Sequence, residues 1–344
     1  IAPAVQRFVG MFAFALFDGS DRTLHLCRDR MGEKPLYYGW IRDGWIRDGG
    51  ADNRFVFASE LKAITAITTR RPDLNQNAIA SYLRFGYIPT PYSIYQDIFK
   101  LPPATLFTIK VDECAKPADF SPRPQQNGNA PRRYWDLTSV SRRGIANPLT
   151  DDATAVDALD SLLKQTIRDQ CIGDVPIGAF LSGGIDSTTV AAIMQAVSST
   201  PINTFTIGFT EKQFDEAPFA RAIASHLGTH HHELYISAHD SHNVVPEIPQ
   251  WWDEPFADSS QIPALMVARM AKRHVTVCLS GDGGDELFCG YNRYISTEKI
   301  WQRLKHAPLP LRRMAARLID SIPVTTYDHG YSSIKKLIGD NRTQ

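Results

Sequence analysis

Amphipathic helix patterns alternate with short apolar strand patterns from residue 151 to residue 279. The strand patterns lie at 177–181, 203–209, 233–236 and 275–279, and the helix patterns at 151–170, 186–197, 216–227 and 262–273. Short apolar strands that alternate with helices predict a parallel sheet covered by helices on both faces. In such sheets ligands bind where the strands end and the loops turn into helices. We therefore expect an α/β domain whose site lies at the carboxyl ends of its strands.

The loop after the first of these strands is typical of phosphate binding. It reads S-G-G-I-D-S at 182–187, directly before a helix pattern. Its glycines let backbone N–H groups approach an anion, Ser182 and Ser187 offer hydroxyl groups, and the helix N-terminus adds partial positive charge. Asp186 alone would repel phosphate, which indicates a divalent cation bridging the protein and the phosphates. The alternative is an ordinary capped strand-to-helix turn; neither a Walker-type lysine loop nor a G-x-G-x-x-G motif occurs.

A second acidic loop follows the last strand pattern. It reads S-G-D-G-G-D-E-L-F at 280–288 and carries three carboxylates within five positions. Such crowding of like charges is unfavourable without a cation or backbone donors. Magnesium prefers a few protein carboxylates together with phosphate oxygens, so Asp186 and Asp285 are the predicted metal ligands. For Glu286 the alternative is an acid-rich helix start that complements the helix dipole.

Residues 1–112 have a different pattern, rich in strands and turns. Strand candidates lie at 9–17, 23–27, 36–39, 55–58 and 106–110, with helices at 60–67 and 77–85, the second capped by Asn75. This predicts an α+β domain. The most apolar strand, 9–17, is expected to be buried on both faces. Because the chain opens on Ile1 shortly before it, we expect the N-terminus to lie inside a domain.

Two further segments bear on domain organisation. Residues 113–147 include a polar stretch rich in proline, glycine and asparagine, which predicts an inter-domain linker. Residues 40–49 repeat W-I-R-D-G twice between two strand candidates, which indicates an extended hairpin loop made by local duplication. The predicted domains are 1–112, the linker, and 148–344.

Composition excludes several classes of protein. Lysine plus arginine equals aspartate plus glutamate at 37 each, so charge gives no reason for binding nucleic acid or a membrane. The longest apolar stretch is far below the roughly 20 residues of a membrane span. Five scattered cysteines without a C-x-x-C pair favour reduced thiols and a cytoplasmic location.

Two polar segments are candidates for a ligand site. Three adjacent histidines at 230–232 cannot converge on one metal ion if they lie on a strand, because neighbouring side chains face opposite sides. The loop D-E-P-F-A-D-S-S at 253–260 precedes a helix pattern. Two interpretations of this loop stay open: it caps the helix through Asp258 or Ser259, or it lines the pocket of the substrate that accepts the transferred group.

The motifs together resemble one family. S-G-G-I-D-S resembles the pyrophosphatase loop of the adenine-nucleotide alpha-hydrolase superfamily, and S-G-D-G-G-D-E-L-F-C-G-Y at 280–291 resembles the second nucleotide loop of asparagine synthetases. The segments F-A-F-A-L-F-D at 12–18, R-D-R-M-G-E-K-P-L-Y-Y-G at 28–39 and F-V-F-A-S-E-L-K-A at 55–63 resemble the class II glutamine amidotransferase domain of the same family. The resemblance implies part of an Ntn-type glutaminase sandwich, followed by an ATP-binding synthetase domain that is incomplete at its C-terminus.

The resemblance also implies a reaction. A ligase that makes C–N bonds would convert aspartate to asparagine through a β-aspartyl-AMP intermediate. It would use ATP and Mg²⁺, with ammonia from glutamine in the intact parent enzyme. A homodimer is a possible assembly. Asp282 would assist the acyl-adenylate chemistry, and Asp186 with Asp285 would hold magnesium. The implied ATP-binding residues are Leu181, Ser182, Gly183, Gly184, Asp186, Ser187, Ile207, Ser280 and Gly281.

The sequence departs from the family pattern in one respect, and two alternative functions stay open. Glutaminases of this family use an N-terminal cysteine, which this chain does not have at residue 1, and Cys27 lies inside a strand candidate without a free amine. We therefore expect no glutamine hydrolysis by these 344 residues themselves. The alternatives are amidotransfer to another carboxylate acceptor, of the surface-polysaccharide or β-lactam type, and a non-catalytic nucleotide-binding role.

Overall fold

The computed structural model describes residues 1–41, 54–113, 131–322 and 326. These form two compact units, the first over Ile1–Ser280 and the second beginning at Gly281. Within these ranges no helix combines the length and the apolar character needed to cross a bilayer.

Two antiparallel sheets form the N-terminal part of the first unit. One has the strand order β1-β2-β6-β7 and the other the order β4-β3-β5. The strands are β1 (Ala13–Asp18), β2 (Thr23–Arg28), β3 (Tyr37–Ile41), β4 (Arg54–Ala58), β5 (Ile98–Lys100), β6 (Thr105–Lys110) and β7 (Arg132–Arg133). The helices of this part are α1 (Ala2–Val5), α2 (Leu61–Ala66) and α3 (Gln76–Phe85).

The two sheets share an aromatic core. Tyr38 from β3, Phe99 from β5 and Phe107 from β6 are buried together, with Leu26 of β2 beside them. The rings of Tyr38 and Phe107 have centroids 5.1 Å apart. The α+β character predicted for this region is confirmed. The Asn75 cap is confirmed as well, because its side chain accepts hydrogen bonds from the N–H groups of Asn77 and Ala78.

The prediction for the first strand is wrong in extent and in burial. The strand begins at Ala13 and not at residue 9, and Val9 is 80% exposed. In the described chain β1 is the edge strand of its sheet and pairs only with β2. Leu16 and Phe17 are 43% and 57% exposed, because an edge strand with one packed face leaves its other apolar side chains uncovered.

The parallel sheet predicted for the second half is confirmed. Its order is β10-β9-β8-β11, with every pair parallel. Its strands are β8 (Ile177–Phe180), β9 (Asn203–Phe209), β10 (His230–Ile236) and β11 (Val277–Leu279). The accompanying helices are α4 (Leu137–Ala146), α5 (Asp152–Gln170), α6 (Ile185–Val197), α7 (Ala217–Leu227), α8 (Ala238–Val244), α9 (Ile248–Trp251) and α10 (Gln261–Ala271).

Helices cover both faces of this sheet. Ala179 of β8 packs in a cluster with side chains of α5, α6 and α7. Its neighbour Phe180 faces the other cluster, where Phe205 of β9 meets Ala271 of α10. Successive strand residues alternate between faces, so each strand contributes to both cores.

The segment at 113–147 is structured where it is described. Arg132–Arg133 forms β7 against β6, and Leu137–Ala146 forms α4, capped by Asp136, which accepts a hydrogen bond from the Ser139 N–H. The breaker-rich residues 114–130 lie outside the described residues, as do residues 42–53, which include most of the W-I-R-D-G repeat at 40–49. The domain limits 1–112 and 148–344 stay a prediction.

The second unit begins with the acidic loop. Within its described residues it contains α11 (Gly284–Phe288), α12 (Asn292–Leu304) and α13 (Leu309–Asp320). Arg312 of α13 lies over the ring of Trp301 in α12, with its guanidinium carbon 5.3 Å from the ring centroid.

Candidate functional site

Three neighbouring strands bring predicted site residues to one edge of the sheet. The N–H of Leu181, directly after β8, donates to the carbonyl of Phe205 in β9 at 2.9 Å. Ile207 lies two residues further along β9. On the other side of β8, Leu279 pairs with Ala179, and Ser280 follows at the same edge. The structure therefore brings together Leu181, Ile207 and Ser280.

The loop at 182–187 is tied together by its two serines. The Ser187 hydroxyl accepts a hydrogen bond from the Ser182 N–H at 3.1 Å, and the two hydroxyl oxygens are 2.9 Å apart. The Ser182 hydroxyl accepts a bond from the Gly184 N–H at 3.3 Å. Ser187 is buried, whereas Ser182 is exposed. The serines therefore shape the loop in the structure, in addition to the phosphate-binding role predicted for them.

Gly183 is the position where this loop requires glycine. Its φ is +88°, in the left-handed region that side chains disfavour. A Cβ placed there would lie 3.0 Å from the Cβ of Phe219 and 3.1 Å from the backbone nitrogen of Ala220, both in α7. The loop is therefore packed closely against the first turns of α7.

Helix α6 begins directly in the loop. Its N-cap residue is Gly184, and no side chain caps the helix at this end. Uncapped N–H groups and the helix dipole favour an anion at such a position. Among the described residues none donates a hydrogen bond to the carboxylate of Asp186, which lies partly exposed in the first turn. The uncapped N–H groups can bind phosphate oxygens, and the Asp186 carboxylate beside them can bind a magnesium ion that accompanies the phosphate.

The acidic loop belongs to the second unit. Gly283 adopts φ +91°, and the Gly284 N–H donates to the Gly281 carbonyl at 3.2 Å, just before α11. Asp282 is exposed and Asp285 lies partly exposed in the first turn of α11. The sharing of one magnesium ion by Asp186 and Asp285 stays a prediction.

Two residues that follow α11 lie against its acidic side chains. Gly290 lies so close to the Asp285 carboxylate that a Cβ at residue 290 would overlap one of its oxygens. The Glu286 carboxylate accepts a hydrogen bond from the Tyr291 hydroxyl at 3.0 Å, which raises the pKa of Tyr291. Glu286 is thus engaged with a side chain, while Asp285 accepts no side-chain hydrogen bond from any described residue.

The loop at 253–260 contains contacts that sequence reasoning missed. Asp258 accepts a hydrogen bond from the Ser260 N–H at 2.8 Å, next to the start of α10. Asp253 and Glu254 bind groups of the N-terminal part of the chain instead. Burial raises the pKa of Glu254, while Lys100 and the Ile94 N–H act in the opposite direction. No sequence signal identifies these contacts, because two of the partners are backbone N–H groups.

The three adjacent histidines face different surroundings. Along β10, the Nδ1 of His231 lies 2.9 Å from the Thr204 hydroxyl, and the Nε2 of His232 lies 3.0 Å from the Asn203 amide oxygen. The His232 ring stacks on His274 with centroids 3.9 Å apart. The histidines therefore take part in packing and hydrogen bonding.

Cys27 is buried in β2, and burial raises the pKa of its thiol to about 12. A thiol that resists ionisation is a poor nucleophile. This agrees with the expectation that Cys27 does not replace a glutaminase nucleophile.

Comparisons with known proteins identify two families in order along the chain. The family described as asparagine synthase matches residues 158–336, and the family described as glutamine amidotransferase domain matches residues 2–119. The first match contains the loops at 182–187 and 280–288, and the second contains β1 to β6.

Individual relatives agree with these matches. A Methanocaldococcus jannaschii protein, provisionally named glutamine-hydrolyzing asparagine synthetase 2, is 34% identical over 317 residues, which are 91% of this chain and 56% of the relative. The glutamine-hydrolyzing asparagine synthetase 1 of Bacillus subtilis is 32% identical over 322 residues, 93% of this chain and 45% of the relative. The chain thus spans about half the length of the curated relatives it matches.

Among solved structures, NMN synthetase from Francisella tularensis has a TM-score of 0.30 at 16% identity, covering 39% of this chain and 58% of its own, a likeness too low to bear on the fold. The family matches are much stronger, because the asparagine synthase match alone spans more than half of the 344 residues. The chain belongs to the glutamine-dependent asparagine synthase family.

Proposed function

We propose that the protein uses ATP to convert aspartate to asparagine through a β-aspartyl-AMP intermediate, with ammonia that glutamine hydrolysis supplies in the intact parent enzyme. The observation that carries the proposal is the loop at 182–187, which joins uncapped helix amides to an unengaged Asp186 carboxylate at the end of a parallel strand. The names of the relatives from Methanocaldococcus jannaschii and Bacillus subtilis support the choice of reaction.

The chemistry proceeds in two displacements. A carboxylate oxygen of aspartate attacks the α-phosphorus of ATP, and pyrophosphate leaves. Ammonia then attacks the activated carbonyl carbon, AMP leaves with the bonding electron pair, and the nitrogen loses a proton. The uncapped N–H groups at the start of α6 bind the pyrophosphate oxygens as negative charge collects on them.

The other predicted residues have supporting roles. Asp186 would hold Mg²⁺, and Asp285 is the second predicted ligand; the ion, when bound, would neutralise charge on the leaving pyrophosphate. Asp282 assists formation or breakdown of the acyl-adenylate. Leu181, Ile207, Ser280 and Gly281 contact the adenosine part of ATP. We further propose a cytoplasmic protein with small-molecule substrates and no nucleic-acid partner, in which a homodimer is the assembly to test by light scattering.

The reaction is tested by measuring AMP and pyrophosphate with the purified chain, ATP, Mg²⁺, aspartate and an ammonium salt. We expect AMP release that depends on aspartate and is lost in Asp186→Asn. Asp174→Asn is the matched control, since Asp174 is exposed in the loop before β8. Release that requires a different carboxylic acid would contradict aspartate as the acceptor, and nucleotide binding without AMP release would contradict catalysis by these residues.

A further inference from the structure

The loop before α10 is held by the N-terminal part of the chain. We call residues 253–257 the junction loop. One carboxylate oxygen of Asp253 accepts a hydrogen bond from the Leu61 N–H, at the start of α2, at 2.5 Å. The other lies 3.4 Å from the Lys62 ammonium, which also donates to the Gln250 carbonyl at 3.2 Å. The first residue of the junction loop is thereby joined to α2.

Glu254 makes a second and more buried connection. One of its carboxylate oxygens accepts a hydrogen bond from the Ile94 N–H at 2.8 Å, and the other lies 2.5 Å from the Lys100 ammonium. The side chains of Lys100 and Glu254 are only 16% and 11% exposed. Lys100 is fixed further by donating to the Ile88 carbonyl at 2.7 Å. Separating a charge pair that is this buried costs free energy, because each charge would be left without a partner and without water around it.

A third connection closes the junction loop. The Ala257 N–H donates to the carbonyl of Gly86 at 2.6 Å, and Gly86 is the left-handed residue that ends α3. Three separate elements of the N-terminal part, the start of α2, the end of α3 and strand β5, therefore hold a stretch of five residues.

The junction loop leads to the edge of the sheet where the candidate site lies. After α10, the N–H of Thr276 donates to the carbonyl of Pro176, at the amino ends of β8 and β11. Helix α10 therefore runs from the carboxyl edge of the parallel sheet to its amino edge, packed on Phe205 of β9. Because a crossover helix runs back along the strands that it packs on, we expect its N-terminus and the preceding loop at the carboxyl edge, together with the loop at 182–187.

We propose that Glu254 is a positioning residue, through which the N-terminal part of the chain holds the loop at 253–260 in the geometry that binds the acceptor carboxylate. Lys100 is its partner from the glutamine amidotransferase part. The kinetic test of this inference, the KM for aspartate, rests on the proposed function. Its structural half, the dependence of loop order on Lys100, is measured independently of any reaction.

The experiment compares Glu254→Gln and Lys100→Met with the control Lys272→Met, because Lys272 is exposed at the far end of α10. Glu254→Gln retains an oxygen that can accept from Ile94 and removes only the charge. We expect the KM for aspartate to rise about 10- to 100-fold in both variants, as a loop displacement of about 1 Å would cause, while the KM for ATP changes less than about twofold. The control should match the wild type.

Hydrogen–deuterium exchange of the same proteins separates the possible failures. We expect faster exchange at 253–260 and in the first turn of α10 in both variants, with exchange of β8 and β9 unchanged. Faster exchange would support the junction even if the wild type released no AMP with aspartate, a result that overturns the proposed function alone. Unchanged exchange and an unchanged KM for aspartate in Glu254→Gln would overturn the positioning role, including the case where Lys100→Met fails to fold.

Discussion

The hydroxyl oxygens of Ser182 and Ser187 lie 2.9 Å apart across the loop that begins α6. This contact, together with the bond from the Ser182 N–H to the Ser187 oxygen, holds the loop in a closed turn. The uncapped N–H groups of the first turn of α6 therefore lie in a loop whose shape is held without help from a ligand. Preorganised donors of this kind lose little entropy when an anion binds.

Gly183→Ala should weaken nucleotide binding. Strain of about 1–2 kcal/mol is expected from a side chain at φ +88°, with an added close approach to Phe219 and Ala220. If relief of this strain distorts the loop, the Kd for ATP should rise about tenfold. Calorimetric titration with ATP and Mg²⁺ measures the change. Gly173→Ala is the control, since a Cβ there meets no atom within 4 Å; equal affinities in the two variants would contradict the prediction.

Gly290→Ala should displace the Asp285 carboxylate while leaving the protein folded. The added methyl group would overlap a carboxylate oxygen, and the end of a side chain can move away at little cost. We expect the free energy of unfolding to change by less than about 1 kcal/mol, and the Mg²⁺ concentration for half-maximal AMP release to rise several-fold. Gly144→Ala, in an exposed helix, serves as the control. An unchanged Mg²⁺ requirement would show that Asp285 does not bind the ion.

The thiols should react in an order set by burial. Burial raises the pKa of Cys27 to about 12, that of Cys278 to about 11 and also that of the half-buried Cys171, whereas Cys289 is exposed. At pH 8 only about one Cys27 thiol in ten thousand would be ionised even with free access. In a Cys114→Ser background, titration with Ellman's reagent should give one fast thiol, lost in Cys289→Ser. Rapid reaction of Cys27 in the folded protein would contradict its burial.

The histidine pair between β10 and α10 should make stability fall on acidification. The pKa of His232 is lowered by burial and by the nearby imidazoles of His274, His231 and His230. The folded protein therefore resists protonation at this position, while the unfolded chain takes up protons below a pH of about 6.5. The stabilising contribution is complete above that pH and is lost as the pH falls.

Urea unfolding at pH 7.5 and 5.5 measures this effect. We expect the loss of stability on acidification to be smaller in His232→Gln than in the wild type. His226→Gln, exposed on α7, should behave as the wild type. An identical pH dependence in all three proteins would show that the pKa of His232 is not lowered in the folded protein.

Local patterns predicted well wherever the signal lies in neighbouring residues. The cap at Asn75, the helix that ends at Gln170 and the strand at Asn203–Phe209 were all predictable, since capping and periodicity act within one turn or one element. Helix α4 was missed, because the surrounding prolines and glycines indicated a linker across 113–147. The edge position of β1 was also missed, because an apolar run does not show how many of its faces are packed.

The sequence by itself determined the parallel sheet, the glycine-rich loop at a strand end and the order of the two family regions, because each depends on residues close together in the chain. Only the tertiary structure decided that Glu254 meets Lys100, and that the Ile94 N–H donates to the same carboxylate. The Ile94 N–H and the Glu254 carboxylate are 160 residues apart in the chain, and a backbone amide has no side-chain signature. Such contacts depend on how the helices and sheets pack, which no local pattern contains.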